Sequence, residues 1–165
     1  MSDRVLNDVY LHELYKTAFS ELTNCFPMNT NIIVEIGSGD GISRKFLQNA
    51  ILTDIAYHSN LNATCKSHQL PFRSGTIDAL VLKDSFHHLP EIELFLNEAN
   101  RVLRVGARVI VFDPYWGLLA RFVYRFLHQE PFDVKTASWR FESTSPWDSN
   151  QALSYLLLRR DRERF

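Results

Sequence analysis

Asn31 to Leu47 reads NIIVEIGSGDGISRKFL, and the rest of the chain becomes legible outward from this stretch. A short apolar run, Ile32-Ile33-Val34, meets an acid at Glu35; Ile36 follows, then glycine at every second position, Gly37, Gly39 and Gly41. Beyond Gly41 the spacing of Ile42, Phe46 and Leu47 predicts the start of a helix with one apolar face. Strand, glycine-rich turn and helix start together describe a binding loop. Glycine, lacking a Cβ, takes positive φ and lets a ligand come close to the backbone. A helix opening after such a turn offers unpaired N–H groups and a positive dipole end. In open α/β sheets ligands lie beyond the carboxyl ends of the strands, where this turn would sit. A tight βα turn that binds nothing is the plain alternative, and three glycines within five residues argue against it.

A chain of 165 residues fits one domain, and 45% hydrophobic with 13% aromatic residues is enough for a packed core. The net charge of −1 gives no reason to expect a nucleic-acid partner. Cys25 and Cys65 lie far apart and outside any metal spacing, so no metal site is expected and both read as reduced thiols. MSDRVLNDVY has neither the basic start nor the apolar core of a signal peptide, and no apolar run is long enough to span a bilayer. A soluble, cytoplasmic protein is the expectation.

Residues 1–30 read as an N-terminal helical cap, with Val5, Leu6, Val9, Tyr10, Leu14, Tyr15, Ala18, Phe19 and Leu22 mostly in the core. Tyr10 and Tyr15 could instead close over a ligand. Residues 31–113 form the predicted cofactor-binding core. After the glycine loop a brief helix leads to a second strand, Ala50–Asp54, whose terminal acid is placed to accept bonds from ribose hydroxyls or to cap a helix. Leu61–Cys65 is a weak third strand, and Ile77–Leu82 is the fourth, closing on Lys83-Asp84. A long helix follows, with Leu94, Phe95, Leu96, Ala99, Val102 and Leu103 on its buried side and Val105-Gly106 as its stop. Arg108–Phe112 is the fifth strand, ending in Asp113-Pro114. Strands alternating with helices give an α/β, doubly wound sheet of about five parallel strands. Residues 114–165 are a helical and loop-rich C-terminal part. Within it Trp116–His128 could be a basic amphipathic helix, packed on the sheet or in peripheral contact with a membrane, and Gln151–Phe165 looks helical.

Ile42 occupies the place where a dinucleotide fingerprint needs glycine or alanine, which disfavours a nicotinamide oxidoreductase, and the Gly-Lys-Ser/Thr of a P-loop is absent. What remains resembles the class I S-adenosylmethionine-dependent methyltransferases of the type 11-like group. The resemblance runs from about Asn31 onward and rests on VEIGSGDG (34–41), TD (53–54), LPF (70–72), IDALVLKDSFHHLP (77–90) and EANRVLRVGARVIVFDP (98–114). It implies a Rossmann-like methyltransferase sheet and S-adenosylmethionine as cofactor. Glu35, Gly37, Ser38, Gly39 and Gly41 would meet its methionine end, Asp54 its ribose, Lys66 and Ser67 its adenine, and Lys83 and Asp84 the floor beneath the sulfonium. His87 and His88 would face the methyl-transfer site as catalytic residues, with a histidine suited to take a proton from the acceptor. A histidine merely hydrogen-bonded in a helix-start loop reads equally well.

The resemblance implies methyl transfer to a small-molecule or lipid-linked acceptor. Two departures favour a second reading, a non-catalytic methyltransferase-like binding protein. Lys66 stands where the family usually has an acid, and lysine only donates hydrogen bonds. Family members also continue into two further strands beside the fifth, so the sheet is expected to be C-terminally shortened. An open strand edge would favour a homo-oligomer that covers it.

Overall fold

The computed structural model describes residues 2–114, 117, 120, 122–123, 130–145 and 148–164. Five parallel strands form a single sheet in the order β3-β2-β1-β4-β5, with β1 Ile33–Ile36, β2 Ile51–Asp54, β3 Ala63–Thr64, β4 Ile77–Lys83 and β5 Leu103–Phe112. The expected α/β doubly wound architecture is therefore present. β4 lies between β1 and β5, and the side chains of Ile77 to Leu82 are all buried, as a strand covered on both faces requires.

Alternation along β4 sorts the core into two layers. Leu80 and Leu82 join Val34 and Ile36 against α3, Ile92–Val102, through Phe95, Ala99 and Val102. On that same face lie Leu153, Leu156 and Leu157, from a short helix α4, Leu153–Tyr155, and the π-helical turn Leu156–Arg160 that continues it. Ala79 and Val81 face the other way, with Leu52 and Ile110, onto Phe19 and Leu22 of α2, Val9–Asn24. Asp8 caps α2 by accepting from the N–H groups of Tyr10 (2.9 Å) and Leu11 (3.1 Å), and α1, Ser2–Asn7, precedes it.

Four expectations from sequence change. Residues after Gly41 form only a four-residue 3-10 turn, Ile42–Lys45, rather than an α-helix. Neighbouring parallel strands are joined here by 14 residues (37–50), and the glycine loop consumes the first of them. The N-terminal helices bury only one side: Leu6, Val9, Tyr10 and Leu14 are exposed, while Val5, Ala18, Phe19 and Leu22 carry the packing. Leu94 of α3 is likewise exposed. Finally, Val105-Gly106 is not the stop of α3. The helix ends at Val102, and Leu103 pairs at once with Ile77 of β4. Residues 104–107 then bulge opposite Asp78 before Arg108 pairs with Ala79, and Gly106 takes a positive φ (82°) within that bulge. The bulge brings the Arg104 guanidinium onto the Asp78 carboxylate, which also accepts from the N–H groups of Asn31 and Ile32, both at 2.7 Å.

Trp116–His128 lies mostly outside the described residues, and so does its reading as a basic amphipathic helix. Among the described residues no helix is long and apolar enough to cross a membrane.

Candidate functional site

The carboxyl ends of β1, β2 and β4 converge around the glycine loop. Gly37, Gly39 and Gly41 have φ of 76°, 56° and 81°, conformations that side chains with a Cβ rarely take. The N–H groups of Gly37 and Ser38 both donate to the Thr53 carbonyl (3.0 Å), which stitches the start of the loop to β2. A Cβ on Gly37 would collide with the side chain of Ser85, whose hydroxyl donates to the Ile36 carbonyl (2.8 Å). Over Gly39 there is open space for 4 Å. Loop and strand tips are thus packed from below, with the outward side left clear.

Two acids flank this loop. Glu35, only 3% exposed, accepts from the Ser43 hydroxyl. Burial pushes its carboxyl above the ordinary range, against the hydrogen bond from Ser43 and the positive charge of Lys83. Asp54 ends β2 and accepts from the N–H groups of Gly39 (2.8 Å) and Ala56 (2.9 Å), so it clamps the loop tip. Lys83, largely buried, pairs with Asp84 and sits 4.0 Å from the Tyr15 ring centroid. Tyr15 is thereby brought to the site, whereas Tyr10 is exposed. Asp84 has a positive φ (52°) and donates its N–H to the Phe112 carbonyl (2.8 Å), tying β4 to β5 at this end. Lys66 and Ser67 follow β3, next to Cys65, whose N–H donates to the Asp54 carbonyl (2.9 Å). The Lys66 side chain is exposed.

A second constellation stands after β4. His87, 3% exposed, lies in a 3-10 turn, Phe86–His88, and its Nδ1 is 2.9 Å from Asp113, the residue that follows β5. Its Nε2 is 3.4 Å from the Glu130 carboxylate. The His88 ring is tilted against that of His87, with centroids 4.3 Å apart, and its Nδ1 lies 3.1 Å from the Asp148 carbonyl. Glu130 also accepts from Ser149 Oγ (2.9 Å) and Gln151 Nε2. Burial raises the Glu130 carboxyl, but these bonds and the two imidazoles outweigh it and hold the group below its ordinary value. Asn150 donates its N–H to the His87 carbonyl (2.9 Å), so the C-terminal segment is sewn to the histidine turn.

Sequence reasoning singled out the two histidines but missed Asp113, Glu130 and Gln151. The one available signal was Asp113, an acid at the tip of a strand as Asp54 is; nothing local marks Glu130, because its partners come from residues 43 positions earlier and about 20 later.

Comparison with known proteins fits this geometry. Residues 34–111 match the family model described as a methyltransferase domain. Among solved structures the chain is similar to the PH0226 protein of Pyrococcus horikoshii OT3, with a TM-score of 0.57 and 17% identity over 71% of this chain and 61% of that one. It is similar to a protein of Methanococcus maripaludis assigned as an S-adenosyl-L-methionine-dependent methyltransferase, with a TM-score of 0.56 and 14% identity over 76% and 69% of the two chains. A third is the geranyl diphosphate C-methyltransferase of Streptomyces coelicolor A3(2), crystallised with Mg2+, geranyl diphosphate and S-adenosyl-L-homocysteine. There the TM-score is 0.53 and identity 17%, over 61% of this chain but only 47% of that one. No curated protein matches the chain in sequence. Residues 34–111 thus resemble a methyltransferase domain, carried on a Rossmann-like sheet. The loop is open above Gly39 and acidic acceptors stand at the tips of β1 and β2, features that suit a cofactor of the S-adenosylmethionine type.

Proposed function

We propose that the chain binds S-adenosylmethionine over Gly37–Gly41 and transfers its methyl group to a small-molecule or lipid-linked acceptor held on the His87–His88 side. The observation that carries this reading is the clamp between Asp54 and Gly39, which fixes an open glycine loop between two acidic strand tips. When bound, the cofactor supplies an electrophilic methyl carbon on a sulfonium. Asp54 offers negative charge and a hydrogen-bond acceptor to its ribose end, and Glu35, buried behind the loop, holds the loop in place through Ser43. Ser38, Gly39 and Gly41 provide backbone close enough to pack on it, and Lys83 with Asp84 closes the floor. Alignment of acceptor and methyl carbon does most of the work in an in-line displacement. His88, with His87 buried beside it, orients the acceptor. In the second reading the chain binds the cofactor or a partner without turnover; Lys66, exposed and donor-only after β3, favours it.

Calorimetric titration with S-adenosylmethionine and with NAD tests the first reading. Saturable binding of the former alone is expected, and a folded protein that ignores S-adenosylmethionine rejects it. Binding without turnover over an acceptor panel selects the second reading. Asp54→Ala should weaken cofactor binding by about 1–3 kcal/mol, since it leaves polar groups unpaired; unchanged affinity would remove Asp54 from the site.

A further inference from the structure

His87, His88 and Glu130 each offer a ligand atom within 4.8 Å of the others, a grouping no spacing of residues in the chain foretells. The hydrogen bonds around them say what this group is built to hold. A carbonyl oxygen only accepts, so the contact of His88 Nδ1 with the Asp148 carbonyl puts a proton on Nδ1, and in the neutral ring the lone pair is then on Nε2. Asp113, whose side chain is 2% exposed, does the same for His87 from its Nδ1 side. In the neutral ring this turns the His87 Nε2 lone pair toward the Glu130 carboxylate at 3.4 Å. Two acceptors facing each other take a cation between them, either a proton or a metal ion.

The His87–Glu130 separation is one that a metal ion can span. At bond lengths near 2.1 Å and tetrahedral angles, two ligands of one zinc ion stand roughly 3.4 Å apart. An N–H···O bond would be shorter, at about 2.7–3.2 Å. Both kinds of support that ligating residues usually have are in place. Each imidazole is held at Nδ1 by a carboxylate or a carbonyl, and the carboxylate takes donors from Ser149 and Gln151. Gln151 adds an independent sign: it is 5% exposed, its Nε2 is committed to Glu130, and its Oε1 is buried with no hydrogen-bond partner among the described residues. A water or hydroxyl held by a cation would satisfy such an acceptor. A cleft of about 380 Å³, lined in part by Glu130, Asp148, Ser149 and Asn150, lies on the Glu130 side of the group.

We propose that His87, His88 and Glu130 bind one divalent transition-metal ion of the zinc type, with Asp113 and Asp148 orienting the imidazoles. Imidazole nitrogens favour this class over magnesium or calcium. Two histidines and one glutamate leave a fourth position open, the pattern of reactive rather than purely structural zinc sites. On the methyltransferase reading above, that position takes a lone-pair donor of the acceptor; metal binding itself does not depend on that reading.

The test is titration of the chelator-treated, dialysed 165-residue chain with Zn2+ and, as a spectroscopic probe, Co2+. A Cys25→Ser background removes an exposed thiol that could take up zinc. One equivalent should bind, with Co2+ absorption typical of a four-coordinate N/O site. His88→Gln and Glu130→Gln should each abolish stoichiometric uptake while the protein still unfolds cooperatively. Asp113→Asn should weaken uptake about 10–100-fold, as loss of an orienting partner does. No saturable uptake by the folded parent, or undiminished uptake by both ligand variants, overturns the site. So does a nitrogen-15 spectrum of His87 with both ring nitrogens protonated in the presence of Zn2+, because the cation between His87 and Glu130 is then a proton. Parallel titration with S-adenosylmethionine separates the two claims: metal uptake without cofactor binding leaves the site standing and removes the methyltransferase reading.

Discussion

The glycine loop and the histidine cluster lie at the same end of the sheet but are made in opposite ways. The contacts that shape the loop are drawn mainly from Glu35–Asp54, from Ser85, which follows β4, and from Asn60, whose side-chain amide donates to the Asp40 carbonyl. Its conformation is imposed by backbone, through positive φ at three glycines and carbonyl-to-amide bonds to β2. The cluster is built from side chains that the chain delivers separately, His87 after β4, Asp113 after β5, and Glu130, Asp148 and Gln151 from the C-terminal part. A binding loop written in backbone geometry breaks when a Cβ is added. One written in side-chain charge breaks when a single atom type is changed.

Gly37→Ala tests the first half of that contrast and should have the largest effect. The left-handed φ costs about 1–2 kcal/mol and overpacking against Ser85 about 1–3 kcal/mol more, so a drop of roughly 2–5 kcal/mol in stability with loss of cofactor binding is expected. Gly39→Ala meets nothing within 4 Å and should cost only the φ part in urea-unfolding experiments. Adding Ser85→Gly to Gly37→Ala should recover the steric part. Equal effects at the two glycines would show that packing against Ser85 does not shape the loop.

Asp113→Asn tests the second half. The amide keeps the volume of the carboxylate but presents a mixed donor and acceptor to His87 Nδ1 in a site closed to water. A destabilisation of about 1–3 kcal/mol is expected from the mismatched buried group, with the His87 ring nitrogens shifted in nitrogen-15 spectra and the β1 amides unmoved. Movement of both regions together would mean that loop and cluster are one cooperative unit.

How much was legible beforehand follows the same division. The strands β1, β2 and β4 and the glycine loop are encoded in contiguous runs, so periodicity and glycine spacing locate them. The 3-10 turn at Ile42–Lys45 was not legible, because an apolar i, i+4 pair looks the same whether a crossover has room for a helix or not. The start of β5 was hidden by Gly106, which marks a bulge here and a helix stop elsewhere. Tyr10 and Leu14 fit an apolar stripe on paper, yet only one side of α2 meets the sheet. Glu130 and Gln151 could not be assigned from sequence at all, since their meaning is a contact with His87 that only the fold supplies.

Acid provides the finest probe of the difference, because the loop and the C-terminal part respond to it with opposite sign. Asp161 accepts from the Trp139 indole N–H (2.7 Å) and pairs with Arg160, and together with Trp139 this holds its carboxyl down at about 2, from an ordinary 3.8. A carboxyl depressed by folding adds stability above its unfolded value, and that contribution fades as pH falls from near 4 through 2. Glu35 behaves inversely. Burial raises its carboxyl, so stability is unaffected by it below its ordinary 4.5, falls as pH climbs from there to the raised value, and levels off above. Hydrogen exchange should therefore show the Trp139 indole proton losing protection between pH 4 and 2, while the Val34 and Glu35 amides keep theirs over the same interval. Glu35→Gln should flatten the stability profile above pH 4.5 without moving the indole transition. If the substitution shifts the indole transition as well, the π-helical turn that carries Asp161's partner Arg160 is coupled to the glycine loop through β4, and the two regions are not separable in the way their construction implies.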